Sequence, residues 1–324
     1  MQKLRLIELA GSYYQIGRKH GEQYGDDIRL FAKERVELCM SGQWSDQPLT
    51  RQRVLEIAEA CVPFHTNYAP DLMDELRGMA DATGLSLAEL IIVNGFTDFI
   101  DTLYAVTKQD RPIIDNGSND DCTAFLVPNA VSADQHGFYG QTWDMHDSAT
   151  PYVLLLRVKP DNAPSALVFT ITGCVGMIGM NSEGIAVGIN NLMGGDGCIG
   201  VTWPFVVRKV LQQDNIADAL ACIMEAPLAG AHNFMLMDKL GNGYNIEAFS
   251  TTNEVTKLGA NPIAHTNHCL FPHTIACSRP RDPATQARSE HRLTSAEKLM
   301  QGVVSAETLL ALTNSSDVVA ISSE

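Results

Sequence analysis

Nothing in the sequence approaches 18 uninterrupted apolar residues, the length that would cross a bilayer as a helix. The opening residues 1–14 (MQKLRLIELAGSYY) lack the apolar stretch and small-residue cleavage site of a secretion signal. Both absences point to a cytoplasmic protein with no membrane partner. Basic runs are missing as well. The 23 Lys and Arg are outnumbered by 38 Asp and Glu, and the formal charge of −15 repels phosphate backbones, which argues against nucleic acid as a partner. The eight cysteines (Cys39, Cys61, Cys122, Cys174, Cys198, Cys222, Cys269, Cys277) contain no CxxC pair. A chain of 324 residues buries a core without covalent staples, so these thiols are expected reduced, most of them as small apolar filler. There is no internal repeat and no low-complexity linker.

What remains is an ordinary globular composition, 45% hydrophobic and 19% charged. Residues 1 to about 110 read as mainly helical, with apolar residues at helical spacing over 14–38, 51–61 and 72–80 and a capping-box spacing from Ser86 to Glu89. The stretch 109–121 (QDRPIIDNGSNDD) is polar and turn-forming, as befits an exposed or strained connection. The texture then changes to short β-branched runs at 123–127, 137–143, 152–158, 166–172 and 184–189. Helical spacing returns at 205–211, 216–224, 289–300 and 306–312, around a hairpin pattern at 233–237 and 244–249. This order predicts an α+β layered sandwich with helices outside.

Three segments could carry chemistry. Residues 173–179 (GCVGMIG) space their glycines as GxxGxxG and run on toward another strand, so tight turns explain them better than a dinucleotide site. His265, His268 and His273 with Cys269 and Cys277 do not match zinc-ligand spacing, and no metal is expected there. Cys122 differs by position, at the junction of the polar connection and a strand. A thiol is a good nucleophile once a base takes its proton. If the bond after Asp121 were cut, Cys122 would gain an α-amine of pKa about 8 that can be that base.

The residues around Cys122 carry a resemblance. The segments 121–125 (DCTAF), 140–144 (GQTWD), 179–187 (GMNSEGIAV) followed by Asn190, Asn191 and Leu192, and 265–269 (HTNHC) resemble the acyl-coenzyme A:6-aminopenicillanate acyltransferase family of N-terminal-nucleophile enzymes. Upstream, 11–21 (GSYYQIGRKHG), 75–80 (ELRGMA) and 94–98 (NGFTD) agree, so the likeness runs from about residue 8 to about 300. It implies an αββα four-layer sandwich with a helical N-terminal segment, and a precursor that cuts itself before the cysteine. Residues 1–121 would be the pro-segment or α chain, and 122–324 the nucleophile-bearing β chain.

By the same resemblance Cys122 is the nucleophile, Asp144 orients or charge-balances the new amine, and Asn267 donates to the oxyanion. Substrate contacts are expected from Thr123, Trp143, His146, Asn190 and Asn191. Read alone, Asp144 could instead cap a turn and Asn267 satisfy loop backbone. The implied enzyme is a cysteine amidohydrolase or acyltransferase acting on a small-molecule acyl amide or acyl thioester. It needs no cofactor, although an acyl-coenzyme A would be a fitting substrate. Self-association into a homo-oligomer is left open. A bile-salt or penicillin V hydrolase-like amidase, and a non-catalytic, unprocessed member of the same fold, are the competing expectations.

The sequence departs from the family in four places, one of them Ala124, which replaces the second hydroxyl residue after the cysteine of the penicillin-biosynthetic member. Asp121 stands where the penicillin-biosynthetic member has glycine, so the scissile turn lacks glycine's permissive backbone. Residues 94–98 lose an arginine of the family's matching stretch. The chain also ends at Glu324, before the Ser-Ile-Cys-Arg segment and closing strands that the family usually carries, which leaves two expectations: a genuinely short terminus, or a truncated form lacking a family arginine near the site.

Overall fold

Ten helices and eleven strands occur among the residues described by this computed structural model, 4–45, 47–107, 121–144 and 147–319. Residues 108–120 of the polar connection lie outside them, as does His146. The first third is helical as expected: α1 (Tyr13–Met40), α2 (Arg51–Tyr68), α3 (Pro70–Thr83), α4 (Leu87–Val93) and α5 (Phe96–Val106). Ser12 and Ser86 start α1 and α4 with full capping boxes to Gln15 and Glu89. Gly84, at φ 74°, ends α3 in the left-handed conformation.

One element of this region is not helical. Strand β1 (Arg5–Gly11) buries only Ile7 and Leu9, too short an alternation to stand out beside the long helical pattern that follows. The remaining strands are β2 (Thr123–Val127), β3 (Phe138–Thr142), β4 (Val153–Pro160), β5 (Ala166–Ile171), β6 (Ile178–Asn181), β7 (Ala186–Asn191), β8 (His232–Met237), β9 (Gly243–Ala248), β10 (Asn253–Lys257) and β11 (Ile263–His265). The helices among them are α6 (Trp203–Val210), α7 (Ile216–Met224), α8 (Pro272–Cys277), α9 (Pro283–Leu299) and α10 (Ala306–Thr313). Ile178 and Gly179, the end of the segment 173–179 read as turns, belong to strand β6.

Two sheets face each other. The larger has eight strands in the order β1-β4-β5-β6-β7-β8-β9-β10, parallel only between β1 and β4, and the smaller has the order β11-β2-β3, antiparallel throughout. Alternation along β2 sorts its residues between two layers. Ala124 and Leu126 pack against Met235 and Met237 of the larger sheet, whereas Phe125 and Val127 pack with Ala296, Met300, Leu309 and Leu312 of α9 and α10. On the far side, α1, α3 and α6 cover the larger sheet through Ile16, Ile28, Leu72, Leu76, Phe205 and Val206. The architecture is therefore an αββα sandwich.

The N-terminal segment is built into this body. Its β1 runs alongside β4 over seven residue pairs, and Ile7 and Leu9 share a core with Leu154, Leu156 and Val158. Helices α1 and α3 meet backbone to backbone. A Cβ on Gly17 would lie 1.7 Å from the Glu75 carbonyl oxygen, and one on Gly78 would lie 2.1 Å from that of Tyr14. These are the glycines of the two upstream segments singled out in the sequence, and close helix approach accounts for them. No helix among the described residues is long and apolar enough to cross a membrane.

Candidate active site

The small sheet aligns the candidate residues by register. Thr123 pairs with Thr142 and His265 with Ala124, so extending both ladders by one or two positions sets Cys122 between Asn267 and Trp143, with Asp144 beside Asp121. Cys122 has the parity of Ala124, which turns its side chain to the inter-sheet space, and it is 2% exposed. Tyr139 lies on the same face, and its phenol donates to Gln141 Oε1 at 2.6 Å. Burial and then the neighbouring Cys122 push that phenol's pKa well up. Trp143 rests edge-on against Phe169, with ring centroids 5.7 Å apart.

An arginine arrives from the outer helix layer. Arg292, on the buried face of α9 with Thr285, Ser289 and Ala296, is 4% exposed. Its Nη1 donates to the Cys122 carbonyl oxygen at 2.7 Å and to Thr123 Oγ1 at 3.0 Å. Its Nη2 donates to Asp121 Oδ1 at 2.9 Å and to Asn267 Oδ1 at 3.1 Å. One guanidinium thus holds residues on both sides of the bond between Asp121 and Cys122. Burial pulls its pKa down, and Asp121, Cys122 and Asp144 act in the opposite sense. Helix α9 thus brings an arginine to this junction.

That contact also orients Asn267, which is 1% exposed. A guanidinium only donates, so the amide atom it meets is the oxygen, and Nδ2 is turned the other way, toward the Asn191 carbonyl oxygen at 3.1 Å. The loop carrying Asn267 is pinned by Ser289, whose Oγ accepts from the Asn267 backbone N–H at 3.0 Å and meets His268 Nδ1 at 2.8 Å. One residue before this loop, both ring nitrogens of His265 face acceptors, Glu247 Oε1 at 2.8 Å and the Thr266 carbonyl oxygen at 2.7 Å. His273 points elsewhere, to Glu254 at 2.6 Å.

The expected substrate contacts divide. Trp143 lines a small apolar cavity of about 30 Å³ together with Phe31, Phe96, Met177 and Trp203. Asn191 lies at the end of β7, where its carbonyl takes the Asn267 amide. Asn190 is buried in the inter-sheet space, its Oδ1 3.3 Å from Asn233 Nδ2. Thr123 is the exception. It faces the helix layer, donating to the Val318 carbonyl oxygen at 2.7 Å, so it anchors the strand rather than lining the pocket.

Comparison with known proteins adds the family. The model of the family described as acyl-coenzyme A:6-aminopenicillanic acid acyl-transferase matches residues 131–320. The 40 kDa form of acyl-coenzyme A:6-aminopenicillanic-acid-acyltransferase from Emericella nidulans is 24% identical over 294 residues, 89% of this chain and 76% of that protein. An uncharacterized protein from Archaeoglobus fulgidus is 24% identical over 235 residues, 66% of this chain but only 38% of its own length. Among solved structures, penicillin V acylase from Agrobacterium tumefaciens matches at 10% identity over 63% of this chain and 66% of that one, with a TM-score of 0.28. A variant of conjugated bile acid hydrolase from Clostridium perfringens matches at 9% identity over 63% and 73%, with a TM-score of 0.33.

Proposed function

The chain belongs to the acyl-coenzyme A:6-aminopenicillanic acid acyl-transferase family, and from that premise we propose that it is a self-processing cysteine acylase or acyltransferase with Cys122 as nucleophile. Processing begins when Cys122 Sγ attacks the Asp121 carbonyl carbon. A C–S bond forms, the C–N bond breaks, and the amine of Cys122 takes the proton. Water then hydrolyses the thioester, leaving Asp121 as a carboxyl terminus and returning the thiol.

The same groups serve turnover. The new α-amine accepts the thiol proton, Sγ attacks an acyl amide or acyl thioester, and the leaving amine or thiol takes that proton away. Asn267 Nδ2 stabilises the oxyanion; an amide keeps its donor at any working pH, and one such donor is worth about 3 kcal/mol of barrier. Asp144 charge-balances the ammonium as it forms. Trp143 leads the acyl group toward the apolar cavity. No resident cofactor is required, and acyl-coenzyme A enters as an acyl donor.

The observation that carries this reading is the grip of Arg292 on Asp121, on the Cys122 carbonyl and on Asn267 at once. A guanidinium so placed holds the scissile junction in register with the oxyanion donor. The test is a panel of N-acyl amides and acyl thioesters, offered with and without amine acceptors to wild type and Cys122→Ala. Acyl release to water or amine should vanish in Cys122→Ala. Turnover of that variant at the wild-type rate would remove Cys122 from the mechanism. The ratio of amide product to free acid separates transferase from hydrolase.

A further inference from the structure

The small apolar cavity beside Trp143 carries a hydroxyl on its wall. Thr97, in the first turn of α5, lines it together with Gly95, Phe96 and Trp203. Thr97 Oγ1 lies 3.2 Å from His232 Nε2, and His232 Nδ1 lies 3.1 Å from Asp98 Oδ1. The three residues are 8%, 1% and 0% exposed, so water does not compete for these contacts.

Hydrogen-bond accounting fixes the direction of the chain. The Trp203 indole N–H, which can only donate, gives its proton to Thr97 Oγ1 at 3.2 Å. The hydroxyl keeps its own proton and a second lone pair, and what sets the sense of its contact with His232 is the Asp98 carboxylate facing Nδ1, which places the ring proton on Nδ1 and leaves Nε2 to accept from Thr97. Asp98 is held in turn by the Trp203 backbone N–H, 2.6 Å from Oδ2, and the imidazole lies against the Trp203 ring at 5.4 Å between centroids. The Nδ1 to Oδ1 contact is at ion-pair distance but off the N–H direction; such bonds tighten as charge develops on the ring.

Hydroxyl, imidazole and carboxylate in this order, on the wall of an apolar cavity, are the parts of a second acyl-accepting centre. We propose that Thr97, with His232 as general base and Asp98 as its orienting carboxylate, is a nucleophile distinct from Cys122 that accepts apolar acyl groups from activated esters. In the step, Thr97 Oγ1 attacks the ester carbonyl as its proton passes to His232 Nε2. The tetrahedral intermediate expels the alcohol or phenol, which takes that proton, and an ester remains on Thr97 until water hydrolyses it.

The test uses Cys122→Ala, which removes the thiol proposed as nucleophile from the reaction, with p-nitrophenyl butyrate as probe. The expected result is release of p-nitrophenol with one butyryl group mapped by peptide mass spectrometry to Thr97. Acylation should be lost in Cys122→Ala/Thr97→Val, retained or faster with Thr97→Ser, and slowed at least about 100-fold with His232→Gln. The proposal is overturned if folded Cys122→Ala and Cys122→Ala/Thr97→Ser, checked by circular dichroism, carry no acyl group at residue 97. It is equally overturned if His232→Gln acylates at the parent rate.

Discussion

Removing the guanidinium of Arg292 would leave the buried Asp121 carboxylate without its 2.9 Å partner and Asn267 without the contact that sets its amide. Breaking a buried pair in this way costs about 3–5 kcal/mol. Arg292→Met should therefore accumulate as unprocessed chain, visible on a denaturing gel. Arg292→Lys, which keeps the charge but loses the fork, should process more slowly than wild type. If the amide of Asn267 acts on the oxyanion as proposed, Asn267→Ala should lower kcat by about 100- to 1,000-fold with a much smaller change in KM. Equal losses in kcat/KM and 1/KM would place Asn267 in substrate binding instead. Cys122, Asp144 and Asn267 could be nominated from the sequence because each sits in a recognisable local segment. Arg292 could not, because it lies 170 positions from the cysteine whose carbonyl it holds. The only trace of it is an arginine in line with Thr285, Ser289 and Ala296 on one helical face, a stripe otherwise made of small residues.

At the level of elements, the best-read features are those that local chemistry decides. The capping box from Ser86 to Glu89 and the β-branched run that becomes β2 are each written within a few residues. Strands β1, β10 and β11 escaped because their pairing, not their own sequence, makes them strands; β11 has three residues. The glycines of α1 and α3 are a middle case, visible as a motif whose reason is contact between two helices. Gly17→Ala would press a methyl group into the Glu75 carbonyl, where nothing can yield but backbone. Overpacking of this kind costs about 1–3 kcal/mol or more. Thermal unfolding should show a clear drop in Tm for Gly17→Ala and Gly78→Ala, against no comparable change for Gly259→Ala, which has open space around it.

For the whole molecule, the interlocking of the two segments decides what cleavage does. Strand β1 comes from upstream of Cys122 and pairs with β4 from downstream, and their apolar residues share one core. The two pieces should therefore co-purify after processing and separate only in denaturant. Stability should also depend on pH through buried neutral histidines. Burial pushes His20 and His65 down from 6.5 to about 4. Each uses Nε2 as an acceptor, from the Gly173 N–H at 3.3 Å and the Thr202 N–H at 3.1 Å, which requires a neutral ring. Between those pH values the unfolded chain binds more protons than the folded one, so stability rises with pH. Going down from 6.5 to about 4 the loss approaches about 1.4 kcal/mol per pH unit for each histidine, and urea midpoints across that range would measure it.

The most direct measurement is intact-mass and peptide mass spectrometry of the purified wild-type protein after brief exposure to an acyl thioester. The account predicts two fragments, one ending at Asp121 and one beginning at Cys122, with the acyl group on the Cys122 thiol, and a single unacylated chain for Cys122→Ala/Thr97→Val. A wild-type chain that stays whole and takes no acyl group on Cys122 would contradict it.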